Sequence, residues 1–197
     1  MTPVPTHRSP RRARRVLVPL LAALALVLPV LLAPTSAQAA PYCGITWGSL
    51  AKSSSTAVNP SAPPGHLVDV RSGRHTCYDR LVLDVDGELD GYDVRYVSAV
   101  RQDGSGFVVP TAGGARLQVV AKAPAYDDRG STYNPANEAH LTDVRGYRTF
   151  RQVTWAGTLE GQSTVGLGVR ARLPFRVLTI TGPGNTSRLV VDVAHLW

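Results

Sequence analysis

The chain has 197 residues, 44% of them hydrophobic, and its 21 Lys and Arg against 14 Asp and Glu give a formal charge of +7. Five of those cations (Arg8, Arg11, Arg12, Arg14 and Arg15) lie in the first forty residues, which hold no acid, so beyond them the +7 falls by five to +2. A nucleic-acid partner argued from overall charge is thereby excluded, and the length leaves room for one small domain.

The amino end reads as an export signal. The arginines form a basic n-region, the apolar run Val16 to Leu32 an h-region, and Ala37 and Ala39 an A-x-A site, with cleavage expected after Ala39. The apolar run falls short of the roughly 20 residues that a membrane span needs. No lipobox precedes Cys43, so neither a spanning nor a lipid anchor is expected; the general secretory and twin-arginine routes both stay open. Residues 1–39 are thus a signal peptide and the product is secreted or wall-associated.

The chain has two cysteines, Cys43 and Cys77, both in the exported part, and in an oxidising compartment a disulfide is the expected state. Neither sits in a C-x-x-C, and no nearby His completes a metal set. Residues 40–65 then read as a disulfide-tethered segment carrying Trp47, followed by a Ser/Pro/Ala-rich linker from Ala51 to Gly65.

From His66 to Trp197, β-branched runs alternate with turn residues. Strands are expected at Leu67–Val70, Arg80–Val85, Tyr92–Val100, Arg116–Ala121, Gln152–Thr158, Thr164–Val169, Phe175–Thr181 and Arg188–Val193. Leu81, Leu83 and Val85 alternate with polar neighbours, as do Leu117 and Val119, the period of an antiparallel sheet with one wet face. Asp86-Gly87, Asp90-Gly91, Asp103-Gly104, Gly113-Gly114 and Gly182-Pro183-Gly184-Asn185 punctuate the runs. The pattern is all-β, an antiparallel β-sandwich of about eight strands. Ala123 to Asp143 is too long for a routine connection and reads equally as a functional loop or as disorder.

Chemistry is sparse. His66-x-x-Asp69 and His140-x-x-Asp143 share a pattern, but a three-residue spacing on a strand sends the side chains to opposite faces. No nucleophile-elbow, zinc-protease or S-x-x-K motif occurs, so no catalytic residue is assigned; a hydrolase built on His75 or His140 would need a carboxylate and a hydroxyl beside the ring. The acidic stretch Asp84 to Gly91 is malformed as a calcium loop and reads as a hairpin turn, so no metal and no cofactor are expected. Arg145-Gly146-Tyr147-Arg148-Thr149-Phe150-Arg151 interleaves three guanidinium forks with two aromatic rings. Such a set can grip carboxylates or phosphates while the rings pack on sugars, or it can solvate a face while Tyr147 and Phe150 enter the core. Arg145, Tyr147, Arg148 and Arg151 are candidate ligand residues on the first reading. His75 and Arg80 join them, although His75, Tyr78, Asp79 and Arg80 could equally form a structural turn in which Asp79 and Arg80 satisfy neighbouring backbone and each other.

Four ordered motifs carry a resemblance: Arg71-x-Gly73-x-His75-x-x-Tyr78-Asp79-Arg80-Leu81-Val82-Leu83, Gly91-Tyr92-Asp93-Val94-Arg95-Tyr96-Val97, Pro174-Phe175-Arg176-Val177-Leu178 and Arg188 to Val193. Together, over 66–197, they resemble the AMIN-like domain of exported actinobacterial proteins, which is similar to the AMIN modules beside cell-wall amidases and in pilus secretins. The resemblance implies a β-sandwich with a non-catalytic role in binding peptidoglycan or another anionic envelope polymer. It assigns no ligand residues. The alternative, from another class, is a scaffold that docks an envelope protein through a sheet edge or the 123–143 loop.

Overall fold

The computed structural model describes residues 42–55 and 65–197; the expected signal segment, its cleavage site and residues 56–64 of the expected linker lie outside them. All described elements belong to one unit, 39–197. After a single 3-10 turn at Tyr42–Gly44 the strands are β1 (Lys52–Ser55), β2 (His66–Arg74), β3 (Tyr78–Asp86), β4 (Gly91–Val97), β5 (Val100–Arg101), β6 (Val108–Val109), β7 (Ala115–Ala121), β8 (Tyr126–Asp127), β9 (Gly130–Ser131), β10 (Phe150–Leu159), β11 (Gln162–Val169), β12 (Phe175–Thr181) and β13 (Thr186–Ala194). A five-stranded sheet ordered β1-β4-β7-β11-β10 and a four-stranded sheet ordered β12-β13-β3-β2 are antiparallel throughout, and β5-β6 and β8-β9 form small hairpins.

The expected sandwich therefore forms, and its core follows the period-two runs. Leu81, Leu83 and Val85 with Leu189, Val191 and Val193 come from one sheet, Leu117, Val119, Val165, Leu167 and Val169 from the other, all in one buried cluster. Each such side chain contributes roughly 1.5–3 kcal/mol by leaving water. Tyr96 of β4 enters from the side: its hydroxyl donates to the Leu173 carbonyl (2.6 Å) and accepts the Leu173 N–H (3.0 Å). Burial pushes that phenol up to about 12.

Two expectations need correcting. Lys52–Ser55, assigned to a linker on its Ser-rich composition, is a strand paired with β4 from Lys52↔Val94 to Ser55↔Gly91. The ladder hydrogen bonds come from the partner backbone, which needs no apolar side chains. Likewise Tyr92–Val100 is not one strand: β4 stops at Val97, and Val100 opens the β5-β6 hairpin instead.

That hairpin and the segment after it cover the outer face of the five-stranded sheet. Gly168 permits this, since a Cβ there would run into the Ala112 carbonyl. The contact is polar: Ala112 N–H donates to Gln152 Oε1 (2.6 Å), and Thr164 Oγ1 donates to Asp103 Oδ2 (2.6 Å). Burial raises the Asp103 carboxyl above its ordinary range, the Thr164 bond only partly opposing it. A carboxyl whose folded value lies above its unfolded value of about 3.9 opposes folding while ionised, and this opposition fades as pH falls through the folded value toward the unfolded one. Asp103→Asn keeps an acceptor for Thr164, so its Tm should exceed that of the parent at neutral pH, the two converging below about pH 4. A lower Tm for the variant at neutral pH contradicts this account.

The long segment after β7 has a defined course. Pro124 O accepts the Leu67 N–H (2.8 Å), Thr132 Oγ1 donates to Leu67 O (2.8 Å), Glu138 O accepts the Trp155 N–H (2.7 Å), and the Leu141 N–H donates to Val153 O (2.9 Å). It thus covers the edges that β2 and β10 would otherwise expose, which is how antiparallel sheets avoid sticky rims.

Candidate functional site

Where β2 meets β3, the turn Arg74–Cys77 closes with the His75 N–H on Tyr78 O (2.9 Å). Opposite it, the segment 140–151 leads into β10. Its tip is a turn in which the Tyr147 N–H reaches Val144 O (3.2 Å), with Gly146 at φ +76°, a conformation that glycine adopts without strain. The two segments flank adjoining shallow clefts that share Gly146, one of about 620 Å³ and one of about 690 Å³.

In the first cleft the polar groups are already engaged. Asp143 accepts both the backbone N–H (3.0 Å) and the guanidinium (2.6 Å) of Arg145, and those hydrogen bonds hold its exposed carboxyl down at about 2. Arg151 donates to the carbonyls of Phe150 (2.8 Å) and Tyr147 (3.3 Å). Tyr147 stacks on Phe150 (5.8 Å between centroids) and its hydroxyl meets Ser72 Oγ (3.0 Å).

The second cleft differs. Arg74 and Arg148 line it, both exposed, and among the described residues neither guanidinium has an ion pair or hydrogen bond; Arg74 lies over the Tyr147 ring at 5.9 Å. His75 lines it too, its ring stacked on Tyr78 at 4.6 Å. Beneath them sits a buried pair. Asp79, 1% exposed, accepts the N–H groups of Thr149 (2.6 Å) and Phe150 (3.1 Å) through Oδ2, and its Oδ1 lies 3.1 Å from His195 Nε2. His195 Nδ1 faces Thr76 O at 3.2 Å, so the ring is held between that carbonyl and the Asp79 carboxyl. This pair ties the end of β13 and the start of β10 to the β2–β3 turn and fixes where Arg148 emerges.

Of the six candidate ligand residues, Arg145, Tyr147 and Arg151 line one cleft, and His75 and Arg148 the other. Arg80 lines neither. It points to the outer face of the four-stranded sheet, where it and Arg176 clamp the fully buried Asp192 at 2.6 and 2.8 Å. The hydrogen bond to Asp192 raises the Arg80 guanidinium still further. The expectation that Asp79 and Arg80 satisfy each other is thus corrected: successive strand residues face opposite ways, Asp79 inward and Arg80 outward. Neither the His75 nor the His140 ring meets a carboxylate or a hydroxyl among the described residues, so the hydrolase arrangement is not assembled on either. In the acidic stretch, Asp84 is held by Arg71 (2.5 Å) and Arg188 (3.0 Å); burial raises its carboxyl, and the two guanidinium groups outweigh that to lower it. Sequence reasoning missed Arg74, which stands next to His75, and missed the Asp79–His195 pair, whose members are 116 positions apart.

The model of the AMIN-like domain matches residues 65–195, from the entry to β2 through His195, and so takes in both clefts. The chain belongs to the AMIN-like domain family. No curated protein matches it. AMIN-like domains are cell-envelope-related modules and in general non-catalytic binders. Among the described residues no helix is long and apolar enough to cross a membrane. The matched span leaves out β1, Trp47 and Cys43, so the disulfide fastens an amino segment to the AMIN-like domain from outside it.

Proposed function

We propose that residues 1–39 direct export and that the remaining AMIN-like chain, 40–65 plus the sandwich 66–197, is a secreted, non-catalytic module that binds peptidoglycan or another wall polymer through the clefts around Gly146. The observation that carries this reading is the gathering of Arg74, His75, Arg148 and Tyr147 about one glycine turn, with two guanidinium groups that have no ion pair or hydrogen bond among the described residues. Free forks bind anions and ring faces pack on sugars. The test is co-sedimentation of the protein, purified from its secretory host, with insoluble peptidoglycan and with teichoic acid and arabinogalactan fractions. Retention on one of them at low salt is expected; no retention on any removes the proposal.

A scaffold role has one observation in its favour. Among the described residues the outer edge of β12 is paired only at Phe175, by Gly48, and Thr179, Ile180 and Thr181 beyond it are exposed. An envelope protein could add a strand there. Cross-linking in intact cells that recovers glycan without a protein partner counts against it.

A further inference from the structure

We infer that the half of the site formed by Arg74, His75 and Arg148 is an oxyanion subsite for the phosphodiester groups of an anionic wall polymer, with Gly146 as its floor. The inference rests on the wall-binding reading above and names the ligand chemistry within it. The two clefts separate their charges by use. In the first, one planar carboxylate, that of Asp143, already saturates the Arg145 fork through Nε and Nη2 (3.0 and 2.6 Å), and Arg151 is spent on carbonyls. In the second, the guanidinium groups of Arg74 and Arg148 and the ring of His75 have no carboxylate partner among the described residues, although all three line one cavity. The one carboxylate there, Asp79, is 1% exposed and taken up by two backbone N–H groups and His195, so it does not cancel the field outside.

A single carboxylate has two coplanar oxygens and takes at most two guanidinium groups here, as Asp192 does from Arg80 and Arg176. Two forks and an imidazole edge offer more donors than that. A phosphodiester presents two unesterified oxygens that diverge from a tetrahedral centre, and further phosphates follow along the chain, so both forks find acceptors. Gly146 lies close to the fork: a Cβ there would stand 3.6 Å from Arg74 Nη1, in ordinary contact, and it is the φ of +76° that favours glycine at this position. The polyol or sugar carbons between phosphates would lie against the exposed His75 ring.

The experiment uses wall sacculi before and after hydrofluoric acid, which cleaves phosphodiesters and leaves peptidoglycan. Titrations with a glycerol phosphate oligomer, a galacturonate oligomer of matched charge and anionic phospholipid vesicles accompany it. Retention on intact sacculi that is lost after acid, with the glycerol phosphate oligomer shifting the Gly146 amide resonance, is the expected result. Arg148→Ala and Arg74→Ala, each removing a side chain with no hydrogen bond among the described residues, should each weaken binding by about tenfold or more, and Arg148→Lys should recover only part of it. Undiminished retention on acid-stripped sacculi overturns the phosphodiester subsite while sparing the wall-binding reading. Retention on no fraction overturns both. Equal binding of galacturonate, or preferential binding of vesicles, also refutes the subsite as stated.

Discussion

Asp79→Ala is expected to destabilise the domain by about 3–5 kcal/mol, the combined cost of leaving its buried hydrogen-bond partners without an acceptor. Three donors converge on this carboxylate: the Thr149 and Phe150 N–H groups and His195 Nε2. Alanine leaves all three without an acceptor in a site where Asp79 is 1% and His195 2% exposed, and each unsatisfied donor costs about 1–3 kcal/mol. A domain of this size has only about 5–15 kcal/mol in hand, so the variant should melt far below the parent. Asp79→Asn retains one acceptor oxygen and should lose less. The double variant Asp79→Ala/His195→Leu should lose less than the sum of its single changes, because the orphaned imidazole goes with its partner. Urea unfolding of the parent, Asp79→Ala, Asp79→Asn, His195→Leu and the double variant measures this. A loss under about 1 kcal/mol for Asp79→Ala would show that water reaches the pair and that the geometry is not holding the β2–β3 turn.

Much of the sandwich is legible in the sequence, because Leu81-x-Leu83-x-Val85 and Leu117-x-Val119 state which face is wet before any partner is known. Seven of the eight expected runs fall within single strands, and Tyr92–Val100 is broken after Val97. The strand that escapes, Lys52–Ser55, has no apolar side chain to announce it, since its only requirement is the free edge of β4. The buried acids escape for a related reason. Asp79 and Asp192 look like solvated strand residues, and what permits their burial lies 70 to 116 positions away, at Thr149, Arg80 and His195. Long-range register decides this: Asp192 is opposite both Arg80 and Arg176, and no local spacing encodes that alignment. The candidate site was legible as residue types, forks interleaved with rings. Which forks are free was not, because Asp143 disarms Arg145 only once the turn has folded. Among the described residues the carboxylates that Arg74 and Arg148 lack are equally a matter of three dimensions.

Loss of the disulfide is the other large effect expected. Cys43 and Cys77 are joined, with Cα atoms 6.3 Å apart, inside the range that a disulfide spans. The bond closes a loop of sequence separation 34, which on the chain-entropy model stabilises the fold by roughly 3–4 kcal/mol, and Cys43→Ala should cost about 2–5 kcal/mol. The bond is not the sole tether of the amino segment. Trp47 packs on Tyr78 at 5.9 Å, Gly48 accepts the Phe175 N–H at 2.8 Å, Lys52 Nζ lies 4.0 Å above the Phe175 ring, and β1 pairs with β4. Those contacts survive reduction, so the native state should change little and the loss should fall mainly on the unfolded state, as added freedom of the loop. Two measurements separate these roles. Urea unfolding of Cys43→Ala, or of reduced protein, should show the lowered midpoint, while Trp47 emission in the absence of denaturant should stay that of a half-buried ring. Cys77 also lies between Thr76, which holds His195, and Tyr78, which carries the His75 ring, so a shift of the turn on reduction would appear as weaker polymer retention. An unchanged midpoint, or free thiols in protein recovered from the secretory host, would refute the bridge as a stabilising element.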